Sequence, residues 1–385
     1  MLSGKNILIL GAREGGYGAS IAVSAVNAGA SVYGTSLDPK NAREKAFFDK
    51  AGIKLLDVPL RFDSERRPEI IDTFSLVQES LKRDGVDRLD AVIHTVAGGF
   101  PRKPSVMKAV GDILKGKSVF NDMATAVKRN VYYVNAGSLQ DTVDGLAGIC
   151  NSDTQFVSLT YRGDLPYFIS PTKKYLEKLS VRLARLGHNT LVAALPEAWT
   201  QSSQFFTGIE IAVMYNYTAH LEDMKKCSPL IEPFFKTMNV SLMELDGFRE
   251  LKKSIRTFLA SEWKVISSSQ DTGATFQRVH ALFNQMRNDG TFAVLRRAVE
   301  IISDFVKDAS GTILVSEFLA KKLYRPGDVR QVYYKDLSGL TQISVAKERT
   351  KTVSIPNRNR NWIVYEKEHI RQTLHMYGDN FLFLD

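Results

Sequence analysis

The sequence predicts an α/β fold: a Rossmann-like, doubly wound parallel sheet with a large, mostly helical C-terminal elaboration. Three observations carry this prediction. Short apolar runs rich in β-branched residues recur through residues 1–200, with helix-period segments between them, which is the alternation that builds a parallel sheet covered on both faces. The first run opens into a glycine cluster, Gly11-Ala12-Arg13-Glu14-Gly15-Gly16-Tyr17-Gly18, and a helical pattern follows from about Ala19. Over 201–310 the strand-like runs thin out and helical stretches dominate.

In chain order, strands are expected over Asn6–Leu10, 31–34, 54–58, Ala91–His94, 155–159 and 190–195, with helices such as 18–28 and 69–83 between them. Helical stretches follow over 210–225, 251–263, 275–288 and 291–307, and strand-like runs return over 311–315 and 329–334. The expected organisation is a dinucleotide-binding and catalytic core (1–204), a helical insertion covering the substrate site (205–310), a return to the sheet (311–345) and a tail (346–385). The tail begins basic, with Lys347, Arg349, Lys351, Arg358 and Arg360 against Glu348, and ends apolar, Phe381-Leu382-Phe383-Leu384.

Composition narrows the class. The chain has 385 residues, 44% hydrophobic and 24% charged, which is an ordinary globule with room for two domains. No run approaches the roughly 18 apolar residues of a membrane span, and the first apolar run is too short for the core of a signal peptide. Two cysteines, Cys150 and Cys227, exclude a disulfide framework and a CxxC-type zinc site, and point to a reducing cytoplasm. The surplus of 51 Lys+Arg over 42 Asp+Glu, net +9, favours an anionic partner such as a nucleotide or an acidic carrier protein. No nucleic-acid-binding motif accompanies it.

The glycine cluster lies where a first strand turns into a helix. There the chain must turn sharply and let its backbone approach a pyrophosphate at the positive end of the helix, so Gly11, Ala12, Arg13, Gly16, Tyr17 and Gly18 are candidate cofactor contacts. The second strand ends without an acid to grip a ribose 2′-hydroxyl. Lys40 and Arg43 either meet a 2′-phosphate or form a solvated helix start, so NADH and NADPH both stay open.

From Leu2-Ser3-Gly4-Lys5-Asn6-Ile7-Leu8-Ile9-Leu10-Gly11, with Ser20-Ile21-Ala22 after the glycines, the chain resembles the enoyl-[acyl-carrier-protein] reductases of the short-chain dehydrogenase/reductase superfamily. The resemblance spans about residues 1–200. It implies that Asp63, in Arg61-Phe62-Asp63, contacts the adenine amino group, with Asp57 as the competing candidate. It also implies that the segment from His94 through Thr95, Ala97, Gly98 and Gly99 lies along the adenosine ribose. His94 itself reads as a satisfied strand-end histidine. Pro196 and Thr200 fall where the family contacts the carboxamide and the pyrophosphate.

The catalytic candidates follow the fifth strand. Tyr167 and Lys174 lie seven positions apart, almost two helical turns, so on a helix they share a face. A phenol there stabilises charge on a substrate oxygen, and a lysine holds the nicotinamide ribose. The Tyr-x6-Lys spacing is similar to that of the enoyl reductases, and Tyr161 takes the place of their upstream tyrosine. If Ser170 caps the helix and Pro171 is its first residue, Lys173 can replace Lys174.

The resemblance implies an NADH- or NADPH-dependent reductase acting on a 2-enoyl thioester, carried by an acidic acyl carrier protein or coenzyme A. It also implies a homodimer or homotetramer. Two alternatives stay open: a 3-oxo reductase of the same superfamily, and a non-catalytic nucleotide-binding scaffold. Phe205, Phe206, Tyr215 and Tyr217 suit either an acyl pocket or plain helix core, and Lys252, Lys253 and Arg256 either a carrier-docking patch or a solvated face.

Overall fold

The computed structural model describes residues 2–98, 125–161, 169–196, 198, 200 and 290–332. Seven strands form one parallel sheet: β1 (Asn6–Leu10), β2 (Ser31–Ser36), β3 (Lys54–Pro59), β4 (Ala91–His94), β5 (Gln155–Tyr161), β6 (Asn189–Leu195) and β7 (Asp328–Gln331). Their spatial order is β3-β2-β1-β4-β5-β6-β7. The order reverses between β2 and β4 on either side of β1, so the crevice for a ligand opens at the C-terminal ends of β1 and β4. Register brings Leu10 level with Thr35 and His94, His94 level with Ser158, and Tyr161 level with Leu195.

The helices are α1 (Tyr17–Asn27), α2 (Ala42–Ala51), α3 (Arg67–Arg83), α4 (Thr125–Tyr132), α5 (Ser138–Gly145), α6 (Ile169–Arg185) and α7 (Gly290–Ile313). A π-helical turn, Tyr133–Gly137, joins α4 to α5, and another, Leu314–Ala320, continues α7. Alternation along the strands sends Leu8, Leu10, Val92, Phe156 and Val192 to one face. There they pack with Ile70, Phe74 and Val77 of α3 and Leu176, Leu179 and Leu183 of α6 in a single core. The opposite face carries α1 and α7. Leu195, Ala194 and Ala193 are buried too, as a parallel strand covered on both faces requires.

The strand expected at 311–315 is instead the end of α7 and the start of its π-helical turn. Packing overrides the β-branched composition: Phe305, Ala309 and Ile313 recur every four residues and are buried along one helical face. Gly311 sits where a Cβ would fall 2.9 Å from the Ser20 backbone, so α7 and α1 touch at the main chain. The sheet is rejoined at β7, where Asp328 pairs with Leu191 and Gln331 with Ala194. The expected helices of 201–289 and the tail from 333 lie outside the described residues.

Candidate functional site

The turn after β1 is built on positive-φ glycines, Gly11 (φ +85) and Gly15 (φ +77). It is closed by hydrogen bonds from Arg13 N to Gly11 O (2.8 Å) and from Gly16 N to Arg13 O (3.2 Å). Gly18, in the first turn of α1, is pressed against this turn: a Cβ there would stand 2.7 Å from both Gly11 O and Thr95 Oγ1. Gly16 caps α1 in an extended conformation with no side-chain cap, so the first-turn amides face the crevice uncapped by any side chain of the turn. Tyr17 donates its hydroxyl hydrogen to Pro196 O, which ties the turn to the end of β6.

At the end of β2, Thr35 Oγ1 accepts from Gly11 N at 3.4 Å. Two crossed ion pairs link the glycine turn to α2, Arg13 to Glu44 and Arg43 to Glu14, each at 3.3 Å. Ser36 donates to Glu44 and accepts from Asp38 N. Arg43 therefore already has a carboxylate partner, while Lys40 is exposed. Asp63 follows β3 and caps a short 3-10 turn by accepting from Glu65 N at 3.1 Å. Asp57 lies inside β3 and is exposed, away from the strand ends where the other candidates collect.

After β4, Thr95 donates to Leu10 O and Gly11 O at 2.8 and 2.9 Å, locking the β1 and β4 loops together. Gly98 is clamped by Asn135, whose amide donates to Gly98 O (2.8 Å) and to Val131 O (2.8 Å). Ala97 is exposed beside it. Asn135 was not anticipated. Its only signal in the sequence is a polar side chain within an otherwise apolar helical window, and the π-helical turn is what aims it at the loop. His94 is buried against Phe62 and shares a 3.0 Å hydrogen bond with Ser138 Oγ. Burial, with Lys173 nearby, lowers its pKa to about 3, so it is a neutral structural histidine, as expected.

The end of β5 meets α6. Lys173 is 8% exposed, and its ammonium donates to Leu159 O at 3.1 Å. Burial lowers its pKa to about 8. Lys174 points away and is exposed. The helix starts at Ile169, not at Pro171, so Pro171 occupies its first turn, where the missing N–H costs no intrahelical bond. Thr160 Oγ1, buried one residue beyond Leu159, has no hydrogen-bond partner among the described residues. Tyr161 ends β5. Tyr167 lies outside the described residues. Pro196 accepts from Tyr17, and Thr200 is half-buried beyond it.

The structure thus gathers Gly11, Gly18, Thr95, Gly98 and Pro196 at one edge of the sheet, with Lys173 on the β5 side. The uncapped N-terminus of α1 and the close-packed glycines beside it are the features that admit an anionic group such as a phosphate.

No protein-family model matches the chain, and no curated protein matches it in sequence. Solved structures do. A novel type of enoyl-acyl carrier protein reductase, FabMG in its apo form, is 15% identical with a TM-score of 0.56, covering 86% of this chain and 93% of that one. The NADH-dependent enoyl-[acyl-carrier-protein] reductase of Aquifex aeolicus VF5 is 20% identical with a TM-score of 0.42, over 55% of this chain and 80% of that one. The Anaplasma phagocytophilum enoyl-(acyl-carrier-protein) reductase, solved with NAD, is 19% identical with a TM-score of 0.44, over 56% and 79%. The chain therefore has a Rossmann-type fold, shared with FabMG over most of both chains.

Proposed function

We propose that the protein is an NADH- or NADPH-dependent reductase of the carbon–carbon double bond of a 2-enoyl thioester. The observation that carries this reading is the convergence, on one sheet edge, of the glycine turn with its uncapped helix and a buried lysine at the end of β5. The likeness to FabMG over most of both chains supports it.

In this reading, the first-turn amides of α1, with Gly11, Ala12, Arg13, Gly16, Tyr17 and Gly18, hold the pyrophosphate. Asp63 meets the adenine, and Thr95, Ala97 and Gly98 line the adenosine ribose. Pro196 and Thr200 flank the nicotinamide side. A bound reduced nicotinamide would supply the hydride that the β-carbon of the thioester accepts. Tyr167, helped by Tyr161, donates a hydrogen bond to the carbonyl oxygen as enolate charge develops. We assign the ribose-holding role to Lys173 rather than Lys174, because Lys173 alone faces the sheet.

The test is a titration of NADH and NADPH followed by assay of a 2-enoyl thioester panel against the matching 3-oxo panel. Turnover of crotonyl or longer enoyl thioesters, lost in Tyr167→Phe and Lys173→Met, is expected. Turnover of 3-oxo substrates alone would redirect the reading to ketone reduction, and tight dinucleotide binding without any turnover would make the chain a nucleotide-binding scaffold. A carrier protein, a homo-oligomer and a cytoplasmic location belong to the same proposal. Among the described residues no helix is long and apolar enough to cross a membrane.

A further inference from the structure

Helix α7 arrives from the far end of the chain, yet it packs along α1 through polar as well as apolar contacts. Ser20 Oγ donates to the fully buried Asp308 carboxylate at 2.6 Å, and Ser24 and Thr312 hydroxyls lie 3.4 Å apart one turn further on. At the end of this interface nearest the glycine turn stands Lys307, whose side chain is 5% exposed. A buried ammonium is costly unless it is paired and hydrogen-bonded. Asp304, on the same helix, pairs with it at 2.9 Å. Another contact leaves the helix and crosses 292 positions of sequence: Lys307 Nζ donates to Gly15 O at 2.9 Å.

That carbonyl belongs to a half-buried glycine peptide. Gly15 has positive φ and nothing within 4 Å of where its Cβ would be, so the site offers no steric restraint. The peptide joining Gly15 to Gly16 is held instead at both ends, its C=O by Lys307 and its N–H by Arg13 O. Gly16 is the residue that caps α1. The orientation of this peptide therefore sets the direction of the first-turn amides. Glycine-rich turns lose much conformational entropy on ordering, and a restraint built into the free protein removes that cost from ligand binding.

We propose that Lys307 is a positioning residue for dinucleotide binding: a lysine of α7 that pre-sets the glycine turn. This rests on the dinucleotide reading above. It also gives α7 a task at the cofactor site that the first 200 residues do not contain.

The test titrates NADH and NADPH into the full chain and its variants Lys307→Met, Lys307→Arg and Thr312→Val, with melting curves to show that each is folded. Thr312→Val loosens the same α1–α7 interface without touching the turn. Lys307→Met is expected to raise Kd roughly tenfold or more, the scale of a lost hydrogen bond to a charged group, and to raise the cofactor KM while kcat at saturating cofactor stays within about twofold. Lys307→Arg, which keeps a charged donor, should recover part of the loss, and Thr312→Val should stay within about twofold of wild type. If Lys307→Met does not fold, Lys307→Gln carries the same expectation. Hydrogen exchange of residues 11–18 should also be faster in either Lys307 variant than in Thr312→Val. Wild-type Kd in a folded Lys307 variant, or equal loss in Thr312→Val, overturns this inference alone. Absence of dinucleotide binding by the wild-type chain overturns it together with the reading it rests on.

Discussion

Gly18→Ala probes the tightest point of the site. The added Cβ would lie 2.7 Å from Gly11 O and 2.7 Å from Thr95 Oγ1, with Ala12 Cα at 3.1 Å. Thr95 can rotate away, but only by giving up its hydrogen bonds to Leu10 O and Gly11 O. Gly11 O cannot rotate, because it belongs to the turn itself and already accepts from Arg13 N. Overpacking of this kind costs about 1–3 kcal/mol, and a lost hydrogen bond about 1 kcal/mol more. Replacing glycine by alanine in a helix returns up to about 1 kcal/mol. The net is about 2 kcal/mol, which at roughly 2–4 °C per kcal/mol lowers Tm by about 4–8 °C. Thermal melting by circular dichroism reads this directly. A double-mutant cycle with Thr95→Ala sharpens it: Thr95→Ala should cost less in the Gly18→Ala background, since the same hydrogen bonds are already lost there. A Gly18→Ala protein that melts within about 1 °C of wild type, or strictly additive losses, would refute the close approach of α1 to the turn.

Burial pushes Lys173 from 10.5 down to about 8, so keeping it protonated costs the fold on the order of 3 kcal/mol below pH 8. The unfolded chain keeps that proton to higher pH than the folded one, so stability rises between about pH 8 and 10.5. Lys173→Met should flatten this rise and melt higher at pH 7 while losing dinucleotide affinity, whereas Lys174→Met, at an exposed position, should change neither. His94 follows the same sign in a lower window: its folded pKa of about 3 lies below the ordinary 6.5, so burying it neutral costs nothing above pH 6.5 and stability is lost as pH falls toward 3. Acid titration of the unfolding free energy should show a shallower loss across that window in His94→Gln, and an unchanged slope would contradict the burial. Arg67 donates from Nε and Nη2 to Asp141, a carboxylate only 1% exposed that also accepts from the Tyr133 hydroxyl. Because the Arg67 side chain is 56% exposed, Arg67→Ala should cost about 2–3 kcal/mol rather than the full value of a buried pair. A urea-midpoint shift worth less than about 1 kcal/mol would count against that contact.

The strands were legible because parallel strands buried on both faces leave continuous β-branched runs. Asn6–Leu10 and Ala91–His94 are read with the bounds the structure has. The glycine turn was legible because close backbone approach admits few other residues, as Gly18 illustrates. The misreading at 311–315 has a physical cause. Thr312, Ile313 and Val315 carry strand propensity, and the decisive feature, contact between Gly311 and the Ser20 backbone, joins positions nearly 300 apart and leaves no local trace. Lys173 and Lys174 show the same limit on a smaller scale. Adjacent lysines are equivalent to any spacing rule until the start of the helix is known. Here Ile169, not Pro171, begins the helix, and Lys173 is the one turned under β5.

The C-terminal half poses the sharper question, because the resemblance to the enoyl reductases ends near residue 200. Had α7 been only a lid support, its face toward α1 would need nothing beyond the apolar stripe of Phe305, Ala309 and Ile313. Instead the same interface buries Lys307, Asp308 and Thr312. Each of these groups carries a desolvation cost that an apolar side chain would avoid. Asp308 recovers it on α1 through Ser20, and Thr312 by donating to Asp308 O on its own helix with Ser24 Oγ 3.4 Å away, and the two cross-helix contacts fix the rotation of one helix against the other. Lys307 recovers part of it on the glycine turn. Helix register set by the first two contacts is what delivers the third to Gly15. The expectation that cofactor machinery ends near residue 200 therefore describes where recognisable motifs stop, while the physical support of the turn runs on to α7.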